Sequence, residues 1–278
     1  MRDTFATFFT VGFLMITAAG TQGYGKSRPL PDGSLKIMVL SGRPVVDGVY
    51  LNGTGPFRFL VDTGAETNQV EAAVARKIGL APTFRVNMVT TAGAMAVGGG
   101  KVGEVTLGSA TASNQEFLFT GLEGVHQLSP GIQGVLGQEF LSRFDYLLDF
   151  AGRRIVFGAA EPGGENRTGF TLVDGRPAVE TDRGKLVVDS GTATAIVYAN
   201  STGSSDGRVV TNSGSVASSA ARDLKFQLGG HSYSTVAAFA PRGGLREDGI
   251  VPASLFHAVY VSNSGRYLVL NPGTSSGR

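Results

Sequence analysis

Cysteine is absent from this chain, which removes disulfides, thiolate metal sites and a cysteine nucleophile together. Tryptophan is absent too. Histidine occurs three times, at His126, His231 and His257, without the short spacings of metal-binding histidines. No metal or other cofactor is therefore expected. Charge is sparse and balanced, with 24 Lys and Arg against 22 Asp and Glu and a net charge of +2. No basic stripe or arginine-rich tract appears, so nucleic acid is not an expected partner. What the chain has in abundance is glycine, 41 residues of 278, a composition of many turns and short strands rather than long helices.

One long apolar run exists, from Phe5 to Ala19, preceded by Arg2 and ending in Ala18, Ala19 and Gly20. It falls short of the ~20 apolar residues of a comfortable transmembrane helix. A positive start, an apolar centre and a small-residue end read as a signal peptide over 1–20. The expected location is secreted or periplasmic, or membrane-anchored if the signal stays uncleaved. Residues 21–35 then form a polar leader or short pro-segment.

The rest of the chain repeats itself. Phe59-Leu-Val-Asp62-Thr-Gly64 is answered by Leu186-Val-Val-Asp189-Ser-Gly191, and Val89-Thr-Thr-Ala-Gly93-Ala-Met95 by Val210-Thr-Asn-Ser-Gly214-Ser-Val216. Three further pairs follow in the same order: Val105–Gly108 with Lys225–Gly229, Gly134–Leu136 with Gly249–Val251, and Gly152–Phe157 with Gly265–Leu270. The spacing between copies shrinks from 127 (Asp62 to Asp189) to 113 (Gly152 to Gly265). Five anchors in one order indicate a duplication. The expected layout is a first lobe over 36–158, a Pro/Gly-rich linker over 159–168, a second lobe over 169–272 and a tail over 273–278.

Within each copy, short β-branched and aromatic runs bounded by Gly, Asn, Ser or Pro predict strands. Apolar residues at helical spacing predict one helix over Val70–Ile78, stopped by Gly79. Copy two has loop composition there, over Asn200–Gly207, so its helix is expected to be short or missing. A second short helix is expected over Gln138–Arg143. The fold class is thus all-β with one or two short helices, in two lobes related by a pseudo-two-fold axis, where matched elements meet.

Each repeated acid ends an apolar strand and precedes a hydroxyl residue and a glycine. Burying a carboxylate there is costly unless it is hydrogen-bonded or paired, and the small residues let the backbone turn its N–H groups toward the acid. If the two turns meet at the axis, Asp62 and Asp189 cannot both ionise, and one proton is shared between them. The candidate catalytic residues are Asp62 and Asp189, supported by Thr63, Gly64, Ala65, Ser190, Gly191 and Thr192. Gly93, Met95 and Gly214 mark two candidate flap hairpins over the substrate. Thr192 carries a hydroxyl where Ala65 does not, so a bond from it to Asp189 is expected to make Asp189 the more acidic member.

At these residues the chain resembles the retropepsin-like proteins of bacteria. The resemblance runs through Gly53-Thr-Gly-Pro-Phe-Arg-Phe-Leu-Val-Asp62-Thr-Gly-Ala65, Lys77-Ile-Gly-Leu80, Gly134-Val-Leu-Gly137 and Asp149–Phe157. It covers Ile37–Phe157 well and Thr171–Leu270 more loosely, and it implies the acid-protease fold with a catalytic aspartate in the first motif. Asp189-Ser-Gly-Thr192 would then take the second-lobe role of pepsin-like enzymes. Two carboxyls sharing one proton are a known property of aspartic proteases, so that split of roles is borrowed from the resemblance. The chain departs from the pattern at Val251-Pro252, which replaces Leu136-Gly137, and in lacking a flap tyrosine.

The expected function is an aspartic endopeptidase, a monomer acting on peptide or protein substrates. Two other readings stand beside it: a non-catalytic peptide- or partner-binding protein of the same shape, and a homodimer using only Asp62 of each chain. Gly203-Ser-Ser205-Asp-Gly207 matches G-x-S-x-G without the strand and helix a serine hydrolase needs. Gly98–Gly103 matches G-x-G-x-x-G but leads into a strand, which suits a hairpin arm rather than a phosphate cradle.

Overall fold

The structure, a computed structural model, describes residues 33–90, 93–163, 166–199, 207–211, 214–219 and 222–271. The expected signal peptide, nearly all of the leader, the tail and most of the Asn200–Gly207 segment lie outside these residues.

Strands dominate. The first half runs β1 (Ser34–Leu40), β2 (Arg43–Leu51), β3 (Thr54–Val61), β4 (Asn68–Glu71), α1 (Ala72–Lys77), β5 (Phe84–Thr90), β6 (Gly93–Leu107), β7 (Ala110–Thr120), α2 (Glu123–His126), β8 (Gly134–Leu136), α3 (Gln138–Leu141), β9 (Tyr146–Asp149) and β10 (Arg154–Phe157). The second half runs β11 (Arg167–Gly169), β12 (Thr171–Val173), β13 (Arg176–Thr181), β14 (Gly184–Asp189), β15 (Ala195–Ala199), β16 (Gly207–Thr211), β17 (Gly214–Ser218), β18 (Arg222–Leu228), β19 (His231–Pro241), β20 (Gly249–Pro252), a 3₁₀ turn (Ala253–Leu255), β21 (Ala258–Ser262) and β22 (Tyr267–Leu270).

The two halves use one pairing scheme. Burial on both faces marks the acid-bearing strands: Phe59, Leu60 and Val61 are buried, as are Leu186, Val187 and Val188. Such continuous apolar runs are typical of central strands with parallel neighbours. β3 pairs parallel with β8, β8 antiparallel with β4, and β4 parallel with β7. In the second half β14 pairs parallel with β20, β20 antiparallel with β15, and β15 parallel with β19. Hairpins β6/β7 and β18/β19 continue the two sheets outward.

The halves are not separate bodies. β9 pairs with β21, and the order β11-β22-β21-β9-β10-β1 runs strands of both halves through one sheet. The largest core cluster likewise takes Phe140, Tyr146 and Leu148 from the first half and Val188, Val259 and Leu268 from the second.

Three expected boundaries move. β1 opens at Ser34, inside the stretch expected as leader, and β11 opens at Arg167, inside the expected linker, because each finds a strand partner there. The expected helix over Val70–Ile78 begins only at Ala72, since Asn68–Glu71 is held as a strand between β7 and β8. Tertiary pairing overrides the helical spacing of Val70. The second expected helix is one turn, Gln138–Leu141. Gly98–Gly103 lies within β6, where a Cβ on Gly99 would stand 2.4 Å from the Phe84 ring and 2.8 Å from the Phe117 carbonyl oxygen. Close packing of the hairpin accounts for glycine there.

Candidate active site

Asp62 follows the end of β3 and Asp189 ends β14, so each acid is delivered by a buried apolar strand. What joins the two turns is a reciprocal set of bonds across 127 residues of chain. Thr63 Oγ1 donates to the Val188 carbonyl (2.6 Å) and accepts from the Ser190 N–H (2.9 Å). Ser190 Oγ donates to the Val61 carbonyl (2.7 Å) and accepts from the Thr63 N–H (3.0 Å). Both hydroxyl residues are buried, so every bond operates where an unmet polar group is costly.

The glycines complete the cradle. The Gly64 N–H donates to Asp62 Oδ1 (2.9 Å) and the Gly191 N–H to Asp189 Oδ1 (2.6 Å). A Cβ on Gly64 would lie 2.3 Å from Asp189 Cγ, and one on Gly191 would lie 2.3 Å from Asp62 Cγ. Each glycine therefore gives the opposite carboxyl its space, and any side chain would push the pair apart. Each carboxyl thus lies against the glycine of the opposite turn.

Electrostatics divide the pair. Desolvation raises both acids above the ordinary aspartate range. Asp62 is pushed further up by the negative charge of Asp189, against the lowering effect of the Gly64 and Ala65 N–H groups. Asp189 is pulled back by the Gly191 N–H and by the nearby Arg176 and Arg43 guanidinium groups. Both carboxyls are thus held above the ordinary aspartate range, Asp62 the further of the two.

The reason for that polarity differs from the expected one. The Thr192 hydroxyl donates to the Thr194 carbonyl (3.0 Å) and accepts from the Thr194 N–H (3.3 Å), closing its own turn instead of reaching Asp189. Ala65 contributes through its backbone: its carbonyl accepts from the Gln138 N–H (2.8 Å), while Gln138 Nε2 donates to the Thr63 carbonyl (2.8 Å). Pro252 in place of Gly137 is matched locally. The Gly137 N–H donates to Asn68 Oδ1 (3.0 Å). Pro252 has no N–H to satisfy, and the residue equivalent to Asn68 (68 plus 127) is Ala195, whose side chain has no acceptor.

Gly93 and Met95 lie near the end of the β5/β6 hairpin, where Thr90 pairs with Gly93 and Met88 with Met95. Val86, Val89 and Met95 are exposed on it. Gly214 opens β17 opposite Thr211. That second hairpin is set differently, because Val209 and Val216 pack against the core cluster around Tyr198 and Ile250. His126 is a satisfied side chain, its Nε2 3.0 Å from the Ile132 carbonyl oxygen.

Two site residues, Arg43 and Arg176, escape the sequence reading. A signal was present: Gly42-Arg43-Pro44-Val45 and Gly175-Arg176-Pro177-Ala178 form a further matched pair, placed at the β1/β2 and β12/β13 turns.

Among known protein families, the aspartyl protease family model matches residues 48–140. Among solved structures, the crystal structure of a retropepsin-like aspartic protease from Rickettsia conorii matches with 17% identity and a TM-score of 0.34, over 45% of this chain and 87% of that one. None of the curated proteins compared matches the chain. The segment carrying Asp62 is an aspartyl protease segment. The chain is an aspartic-type peptidase, a hydrolase of peptide bonds.

A pH dependence follows from Thr192 turning away from the dyad. In the free enzyme, the acidic limb of the kcat/KM profile reports the group that must be ionised, expected to be Asp189, and activity falls as pH drops through its pKa. Thr192→Ala leaves that limb where it is in the wild type; a limb moved to higher pH would mean that the hydroxyl supports the Asp189 carboxylate after all.

Proposed function

We propose that the chain is a single-chain endopeptidase in which Asp62 and Asp189 activate one water between them. The packing of each carboxyl against the glycine of the opposite turn, with the reciprocal Thr63–Ser190 bonds beneath, is the observation that carries the reading. Ionised Asp189 takes a proton from the water as its oxygen bonds to the substrate carbonyl carbon. Protonated Asp62 gives its proton to the carbonyl oxygen, so a neutral tetrahedral diol forms. On collapse the C–N bond breaks, Asp189 returns its proton to the leaving nitrogen, and Asp62 recovers one from the diol hydroxyl. Both starting protonation states are restored. No enzyme-bound covalent intermediate is required.

The β5/β6 hairpin, with Met95 and Val89 exposed near its end, suits a cover that excludes water and adds the peptide as a strand. The repeated pairing scheme supports a duplicated, two-lobed monomer. A dimer built from Asp62 alone has less support, because Thr63 already has its partners in Ser190 and Val188 of the same chain. Removing either acid is expected to lower peptide cleavage by ~10³-fold, within the range of general acid–base contributions. Asp62→Asn and Asp189→Asn assayed on a diverse peptide mixture check this; full activity in the Asp189 variant would favour the dimer, and no cleavage by wild type at any pH would favour the binding protein.

Export to the periplasm or exterior is part of the same reading and rests on the N-terminal apolar run. No described helix is long and apolar enough to cross a membrane. Mass spectrometry of the exported protein should find a mature N-terminus close to Thr21; an intact Met1 terminus held in the membrane fraction would show an uncleaved anchor.

A further inference from the structure

The two Gly-Arg-Pro turns hold their arginines in opposite electrostatic settings. Arg176 is fully countered. Its Nη1 and Nη2 each donate to Glu247 at 2.9 Å, and Nη2 lies 3.4 Å from Asp174 Oδ2. Glu247 is buried, with 1% side-chain exposure, so this is an internal fork-to-fork pair. Glu66 comes in from the other half, its Cγ 3.6 Å from where a Cβ on Gly175 would stand, and its carboxyl feels the Arg176 charge.

Arg43 has none of this. Its hydrogen bond runs from Nε to the Gly191 carbonyl (2.8 Å). Among the described residues no carboxylate reaches ion-pair distance of it. The matched positions explain why. Asp174 corresponds to Ser41 by the spacing of the Gly-Arg-Pro pair (174 minus 133), Glu66 to Ala193 by the spacing of the aspartates (66 plus 127), and Glu247 to Ile132 by that of Gly134 and Gly249 (247 minus 115). All three acids around Arg176 are replaced by uncharged residues around Arg43. One of these equivalences is direct in the structure, since the Ala193 Cβ lies 3.7 Å from where a Cβ on Gly42 would stand.

Arg43 is also placed for contact with a substrate. Gly191, whose carbonyl it holds, gives its N–H to Asp189 Oδ1, so the guanidinium is one residue's backbone away from the dyad. It is half-buried rather than enclosed, and its Nη groups make no hydrogen bond among the described residues. Burial works against its charge, and the negative field that partly offsets this is that of the dyad. A planar fork of N–H donors, partly desolvated and lacking a counter-ion, is the preferred receptor for a carboxylate.

We propose that Arg43 determines specificity by binding a carboxylate of the peptide substrate beside the dyad, so that this protease favours an acidic side chain, or a chain-terminal carboxylate, on the Arg43 side of the scissile bond. The far side, where Arg176 already carries three acids, does not share the preference. The proposal rests on the protease reading for its substrate, while the feature itself is the unmatched cation.

Peptide pairs differing only by Glu or Gln at each position flanking the cleaved bond test this, together with pairs bearing a free or amidated C-terminus, which separate the two sources of carboxylate. Wild type is expected to favour the acid about 10-fold or more in kcat/KM at one position, the scale of a charge-assisted hydrogen bond. Ala193→Glu, which supplies the missing acid and leaves the Arg43–Gly191 bond intact, is expected to reduce that ratio to about one; so is Arg43→Met if it folds. A ratio of one in wild type, or a ratio unmoved by Ala193→Glu, overturns the proposal. Calorimetric binding of the same pairs to Asp62→Asn protein separates the two readings. Tighter binding of the acid without wild-type cleavage removes the protease function and keeps the Arg43 site, while equal affinities remove the Arg43 site even if cleavage stands.

Discussion

Thr63 and Ser190 are buried hydroxyls on opposite halves of the chain, and each donates to a carbonyl of the other half while accepting the other's N–H. Each bond is worth about 0.5–1.5 kcal/mol net, and leaving any of the groups in these four bonds unmet would cost about 1–3 kcal/mol. The stronger consequence is geometric. Because the bonds are reciprocal, neither turn can shift without breaking the other's, so the residues just before them, Asp62 and Asp189, are fixed face to face. The facing glycines then follow of necessity, since a side chain on either would occupy the opposite carboxyl's place.

The rest of the fold serves that junction. Apolar strands β3 and β14 bring the acids together, β8 and β20 lie parallel to them, and the sheet through β9 and β21 ties the halves together. Desolvation raises both acids; the charge of Asp189 pushes Asp62 further up, while Arg176 and Arg43 pull Asp189 back. The near-symmetry of the halves sets up the pair, and their differences give it direction. Countered Arg176 and uncountered Arg43 are the clearest of those differences.

Much of this was legible in the sequence, for identifiable reasons. Strand, acid, hydroxyl and glycine recur as local patterns, so the two turns could be read from short stretches. The mostly-β class followed from the glycine content and the short β-branched runs. The cross-bonds of Thr63 were not legible, because their partners lie 127 residues away (190 minus 63) and either hydroxyl could equally have capped its own turn. Thr192 does that, which is why the expected support for Asp189 comes instead from Gly191 and the arginines. The helix expected from Val70 starts late because a strand register set by β7 and β8 claims Val70 and Glu71 first. The Gly-Arg-Pro pair was visible but silent, since spacing alone does not show which arginine has acids around it.

Whether the two carboxyls hold one proton between them is tested most directly by ¹³C labelling of the aspartate side-chain carboxyls, followed by NMR through a pH titration. The expected result is one carboxyl that keeps its proton well above the ordinary aspartate value of about 3.9, and whose titration is coupled to a second carboxyl and disappears in Asp62→Asn. Every aspartate titrating independently within the ordinary range would contradict it.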